Sequence, residues 1–163
     1  MELWSTAAAG LRAELPRDVD DTLRRHEEAG TTDSAEYQQA MQAFYQRHVC
    51  RTQPMPPEVV ATFAAMDQDP TVCHTMNGPS EFHVIGSLRD WSIVDRVAAV
   101  AVPTLLVGGR YDEATTETIQ PFYQAIPDVR WAVFAESSHL PHVEETDRFN
   151  AVVADFLDTV EQN

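Results

Sequence analysis

Two polar residues in this chain stand just past apolar runs. Asp112 follows "PTLLVGG" and His139 follows "VRWAVFAE". An aspartate that accepts an imidazole N–H fixes the histidine tautomer and stabilises the imidazolium, leaving the other ring nitrogen to act as a general base. In open parallel sheets such groups collect beyond the carboxyl ends of the strands. The pair therefore reads as two parts of a hydrolytic site that still needs a nucleophile. A competing reading makes His139 a polar loop residue, and His142, a few residues on, is the second candidate base.

The elements that must position this pair differ between the two parts of the chain. Residues 1–100 read as helices. "STAAAGLRAEL" stops at Pro16, and "PRDVDDTLRRHEEAG" opens on Pro with acids early, basic residues later and Gly30 at its end. "TTDSAEYQQAMQAFYQRHVC" offers Thr, Asp or Ser as cap and carries Tyr37, Met41, Phe44, Tyr45 and Val49 at helical spacing. "PPEVVATFAAM" is a further short helix. "DPTVCHTMNGPSEFHVIGS" reads as turn-rich, and "LRDWSIVDRVAAVAVP" as a short helix with Ser92 a plausible cap.

Residues 101–163 change texture. "PTLLVGG" and "VRWAVFAE" read as strands buried on both faces, "TETIQPFYQAIP" as a short helix that tolerates Pro121 near its start, and "VEETDRFNAVVADFLDTVEQ" as an amphipathic helix with Val143, Phe149, Val152, Val153, Phe156 and Leu157 on one face. Strand, helix, strand and helix in that order imply a right-handed βαβ unit and a parallel sheet. Two such strands need neighbours and cover on both faces, so the chain reads as the last part of a larger α/β sheet preceded by a helical segment.

Composition narrows the partners. The 163 residues carry 26 acidic against 11 basic side chains, a formal charge of −15. That surface repels phosphate backbones and anionic membranes, so nucleic acid and membrane are excluded as partners, while a positively charged substrate and a merely soluble surface fit equally well. Two scattered cysteines, Cys50 and Cys73, read as reduced thiols. The N-terminus lacks the basic region of a signal peptide, and no apolar run approaches the ~18 residues of a membrane span, so a cytoplasmic location is expected. No metal or organic cofactor is implied, because no His/Cys cluster has ligand spacing and no Gly-rich phosphate loop occurs.

The segments "HTMNGPSEFHVIGSLRDWSIVDRV", "VPTLLVGGRYDEAT" and "SSHLPHVEE" closely resemble the proline iminopeptidase (prolyl aminopeptidase) family of α/β-hydrolases, across nearly the whole chain. The resemblance implies a helical cap (lid) over residues 1–100 and the C-terminal part of an α/β-hydrolase parallel sheet over 101–163. It implies Asp112 and His139 as triad acid and base, and Glu81 and Glu113 as the carboxylates that hold the substrate's free α-amino group. On residues alone Glu81 reads as readily as a turn cap and Glu113 as a solvated acid. The implied activity is a serine exopeptidase that releases N-terminal proline from peptides. The alternatives are another capped α/β-hydrolase, of esterase or epoxide hydrolase type, and a non-catalytic truncated fragment.

The departures from the family pattern concern the nucleophile. The family places an H-G-G-P-G loop and a G-x-S-x-G nucleophile elbow upstream of the cap, and neither motif occurs in these 163 residues. "GPSEF" around Ser80 lacks the second glycine, the preceding strand and the following helix of an elbow, and Ser137 and Ser138 lie on the wrong side of the chemistry. Thr116 stands where the family usually has Pro. The nucleophile is therefore expected in an upstream half, without which the chain should be inactive. "TLLVGG" is expected at the open side of the sheet with its apolar faces exposed, leaving the chain marginally stable, self-associating or dependent on that half.

Overall fold

The computed structural model describes residues 2–162. Five helices come first: α1 (Glu2–Ala13), α2 (Arg17–Ala29), α3 (Ala35–His48), α4 (Pro57–Gln68) and α5 (Thr71–Met76). Their limits follow local chemistry. α2 starts directly after Pro16 and stops at Gly30, while the Ser34 hydroxyl accepts the Tyr37 N–H at 3.2 Å and caps α3. Ser34 is thus the cap among the three candidates.

One face of α3 supplies the core. Tyr37, Met41, Phe44 and Tyr45 are buried together with Ala8, Leu15, Leu23, Val49 and Phe82. Phe44 is fully enclosed, its ring 4.7 Å from that of Phe82. That contact draws the irregular segment after α5 onto the helices. The Arg12 guanidinium, donating to Glu27 at 2.9 Å and to Asp20 at 3.0 Å, ties α1 to α2.

A 3₁₀ turn (Val94–Ala99) leads to β1 (Thr104–Gly109), α6 (Thr116–Ala125), β2 (Val129–Phe134), α7 (Pro141–Glu144) and α8 (Thr146–Glu161). β1 and β2 pair in parallel from Thr104 opposite Val129 to Gly109 opposite Phe134, with α6 as the crossover. The Ser92 hydroxyl accepts the Val94 N–H at 3.3 Å, although Ile93 is the residue that immediately precedes the turn. Among the described residues no helix is long and apolar enough to cross a membrane.

Three features differ from the sequence reading. The stretch read as turn-rich contains α5, because Thr71–Met76 holds neither Gly nor Pro and Pro70 precedes it. The last amphipathic helix is divided at Glu145, whose backbone leaves the helical region (φ −133, ψ 51) while its carboxylate accepts the Glu136 N–H and the Ser137 hydroxyl. The strands, read as buried on both faces, are mostly half-buried, with Val133 38% exposed and only Gly108, Gly109 and Phe134 buried. The apolar face of α8 has no fully buried residue, and Leu157 is 51% exposed.

Candidate active site

The turns that follow β1 and β2 are stitched to each other. Arg110 N–H donates to Phe134 O at 2.8 Å and Tyr111 N–H to Ser137 O at 3.0 Å. This approach requires Gly109, since a Cβ there would strike the backbone carbonyls of Ser137 and Ser138. The result places Asp112 and His139 side by side. His139 Nδ1 lies 2.9 Å from Asp112 Oδ1, and the same carboxylate accepts the Ala114 N–H at 2.8 Å and the Gly109 N–H at 3.4 Å. An ionised carboxylate only accepts, so Nδ1 donates and Nε2 is the nitrogen free for proton exchange.

The remainder of the turn is clamped by acids. Glu144 accepts the Ser138 N–H at 2.7 Å and the Arg51 N–H at 2.6 Å, joining the His139 turn to the end of α3. Glu145 accepts the Ser137 hydroxyl at 2.6 Å. Ser137 and Ser138 are fully buried by these bonds. His142, the other candidate base, instead packs edge-on against Phe149, ring centroids 5.8 Å apart.

Glu113 and Glu81 reach the same place from different regions. Glu113 follows Asp112 directly, is buried, and has its backbone N–H on His48 O at 3.3 Å. His48 in turn donates Nδ1–H to Tyr111 O at 2.9 Å, so the end of α3 holds the β1 turn from two points. Glu81 lies on the segment after α5. Gly78, at φ 146, makes the bend there, where a Cβ would meet the His83 carbonyl. Trp4 Nε1–H donates to Glu81 O at 2.8 Å, and Asn77 Nδ2–H donates to Ser80 O at 3.1 Å and to Glu81 Oε2 at 3.3 Å. Ser80 is buried, its hydroxyl 3.1 Å from the Tyr37 hydroxyl. A cavity of about 900 Å³ borders Glu81, lined in part by Met41, Tyr45, Met55, Phe63 and Asn77.

The charges of the cluster act on one another. The hydrogen bond to Asp112 raises His139 to about 9; burial works against the rise, and the charges of Asp112, Glu113 and Glu81 add to it. Burial pushes Glu113 well above the ordinary carboxylate range, and the neighbouring Glu81 and Asp112 charges push it further. Burial likewise raises Glu81, while His139 opposes the rise. Tyr45, buried beside both glutamates, is also raised, first by burial and then by their charges. Glu113 Oε2 is buried without a partner among the described residues. An unpaired carboxylate oxygen in such a place is costly unless a donor arrives, and a cationic N–H donor suits it best.

The structure thus brings Asp112, His139, Glu81 and Glu113 together. Trp4, Asn77 and Tyr45 around Glu81, and Glu144 and Glu145 behind His139, were not expected at the site from sequence, where Tyr45 reads only as a helix-packing residue. For the last two, the only local sign was a pair of acids shortly after the histidine.

No protein-family model matches the chain. It is 34% identical over 145 residues to a proline iminopeptidase of Thermoplasma volcanium, an alignment covering 89% of this chain and 49% of that relative. The crystal structure of VinJ superposes with a TM-score of 0.94 at 54% identity, covering 96% of this chain and 53% of that one. The crystal structure of the proline iminopeptidase from Mycobacterium smegmatis gives a TM-score of 0.87 at 50% identity, covering 99% and 54%. The chain spans about half the length of the curated relatives it matches.

Proposed function

The chain belongs to the proline iminopeptidase family of α/β-hydrolases, and from that premise we propose that it carries the acid–base pair and the amine-binding carboxylates of a serine exopeptidase that releases N-terminal proline from peptides. In this reading residues 1–100 are the cap and 101–163 the C-terminal part of the hydrolase core. His139 is the general base, oriented by Asp112. Glu81 from the cap and Glu113 from the core hold the protonated amine of the substrate.

The observation that carries the proposal is the meeting of Glu81 and Glu113 beside the imidazole, with Glu113 Oε2 buried and unpartnered. Two carboxylate acceptors match the two N–H groups of a protonated proline nitrogen. Anchoring that nitrogen next to the base leaves room for one residue between amine and scissile carbonyl, which makes the activity an exopeptidase. The 163 residues contain no G-x-S-x-G sequence, so the serine and the oxyanion donors are assigned to a portion of the enzyme outside them. That serine attacks the prolyl carbonyl as His139 Nε2 takes its proton. The proton passes to the leaving amine, and water then hydrolyses the acyl-enzyme by the same route.

The test uses the longer protein that supplies a nucleophile elbow. Prolyl amides should be hydrolysed and N-acetylprolyl amides should not. Glu81→Gln and Glu113→Gln should each weaken turnover of free-amine substrates by roughly 1.5–3 kcal/mol, the range for a hydrogen bond to a charged group, and barely change an ester that lacks an amine. Equal losses on both substrate types would mean the carboxylates are structural. The 163 residues alone should show no turnover and no labelling by serine-directed probes.

A further inference from the structure

Tyr111, Asp112 and Glu113 lie in the turn after β1, and one residue of the helical region bonds to both neighbours of the aspartate. His48, the last residue of α3, donates Nδ1–H to Tyr111 O at 2.9 Å, and its own carbonyl accepts the Glu113 N–H at 3.3 Å. Asp112 stands between these two bonds. A carbonyl oxygen only accepts, so Nδ1 carries the His48 proton and Nε2 is bare. Nε2 is buried with no partner among the described residues, and burial lowers His48 below the ordinary histidine range. A neutral imidazole with one nitrogen on the backbone and the other closed to solvent is in no position to serve as a base. Its use is positional.

What it positions follows from the planarity of the peptide group. Tyr111 N–H is taken by Ser137 O at 3.0 Å, so the turn after β2 fixes one side of Tyr111 and His48 fixes the other. The Tyr111 carbonyl belongs to the rigid plane that ends at Asp112 Cα. Holding that oxygen sets the direction in which Asp112 projects its carboxylate, whose Oδ1 lies 2.9 Å from His139 Nδ1. The chain just past α3 also reaches the histidine turn. Glu144 accepts the Arg51 N–H at 2.6 Å and, at 2.7 Å, the N–H of Ser138, the residue before His139. We infer that His48 is a positioning residue of the acid–base pair: its Nδ1–H, through Tyr111 O, holds Asp112 at the angle at which the carboxylate meets the His139 imidazole. This rests on the reading of Asp112 and His139 as acid and base, and extends it. The sheet places the two residues at adjacent strand ends; the end of a helix aligns them.

Two variants separate position from packing, because the His48 ring also lies against Phe44, centroids 4.9 Å apart. His48→Leu keeps apolar bulk and removes the donor, whereas His48→Asn keeps an amide N–H where Nδ1–H stands. In the longer protein that supplies the nucleophile, His48→Leu should lower kcat roughly tenfold to a hundredfold, the scale of a misplacement of about 1 Å at a reacting group, with KM little changed. The loss should be in the same proportion for prolyl amides and for an ester without an amine, unlike that of Glu113→Gln, and His48→Asn should restore most of it. In the 163-residue protein, the His139 Nδ1–H proton resonance should move in His48→Leu and return in His48→Asn, compared where circular dichroism shows the variants folded. Nitrogen chemical shifts of the His48 ring in the parent should show Nδ1 protonated and Nε2 bare. An Nε2–H tautomer overturns the inference with no variant needed. So does an unmoved His139 resonance in folded His48→Leu. A kcat loss that His48→Asn leaves unrepaired assigns the effect to packing on Phe44 and overturns it too. Failure of the longer parent enzyme to release proline overturns the proposed function alone, since the resonances need no substrate.

Discussion

Residues 1–100 and residues 101–163 bury apolar and polar groups in different proportions. The helical region encloses Leu23, Tyr37 and Phe44 completely, around the apolar face of α3. In the strand-bearing region the fully covered apolar side chains are few, chiefly Ile126 and Phe134, while Asp112, Glu113, Thr118, Ser137 and Ser138 are buried polar groups. Its strand faces are half-covered, and α8 contributes no fully buried side chain. The contrast teaches where the chain keeps its apolar core and where it buries Asp112 beside His139. Apolar burial stabilises the first region at roughly 25 cal/mol per Å². In the second, polar groups are removed from water, most of them held by hydrogen bonds, which contributes little net stability but holds the His139 imidazole against the Asp112 carboxylate.

The contrast can be broken most directly at Phe44. Phe44→Ala should cost about 3–5 kcal/mol, the range for truncating a buried aromatic, and lower the melting temperature by roughly 10 °C at this chain length. A melting temperature within a degree or two of the parent would mean that the helical core is not the main source of stability.

Glu113→Gln tests the other side, and there the change should stabilise. A carboxyl raised in the folded state holds a proton that the unfolded chain has released, so folded stability declines as pH rises from about 4.5 towards the raised value. The amide removes that decline. Glu113→Gln should therefore melt a few degrees higher than the parent at pH 8, where ~1 kcal/mol moves the midpoint by about 2–4 °C, and show little advantage at pH 4. His139 acts in the same direction: its folded value near 9 gives stability present below about 6.5, the unfolded value, and lost as pH rises through 9. A parent protein that gains stability between pH 6.5 and 9 would contradict both signs.

The smallest effect is expected at Leu157. Its exposure on α8 predicts a change within about 0.5 kcal/mol for Leu157→Ala, measured by the same thermal unfolding. A larger loss would show that α8 is covered in solution by another surface. Static light scattering separates the cases, because self-association through the half-covered strands or α8 should appear as a mass that rises with concentration.

Much of this was legible along the chain, because the signals are local. Pro16 and Gly30 bound α2, Ser34 caps α3, and the apolar spacing of Tyr37, Met41, Phe44 and Tyr45 marks the face that became the core. Two unbroken apolar runs with a helix between them could pair only in parallel without a long excursion, and that sets Asp112 and His139 past adjacent strand ends. Backbone periodicity and capping act over a few residues, so residue order alone determines them.

Other features depend on the path of the whole chain. The split at Glu145 follows from bonds to Glu136 and Ser137, and a helical pattern read residue by residue runs straight through it. The Trp4 bond to Glu81 and the Glu144 bond to Arg51 join positions with no sequence relation. Nor does anything local say that Glu81, Glu113 and His139 should come near enough to interact. Electrostatic coupling depends on distance and burial, and both exist only once the helices have been drawn over the strand ends. Residue order determined which groups are available for chemistry; tertiary structure alone decided which of them feel one another's charge.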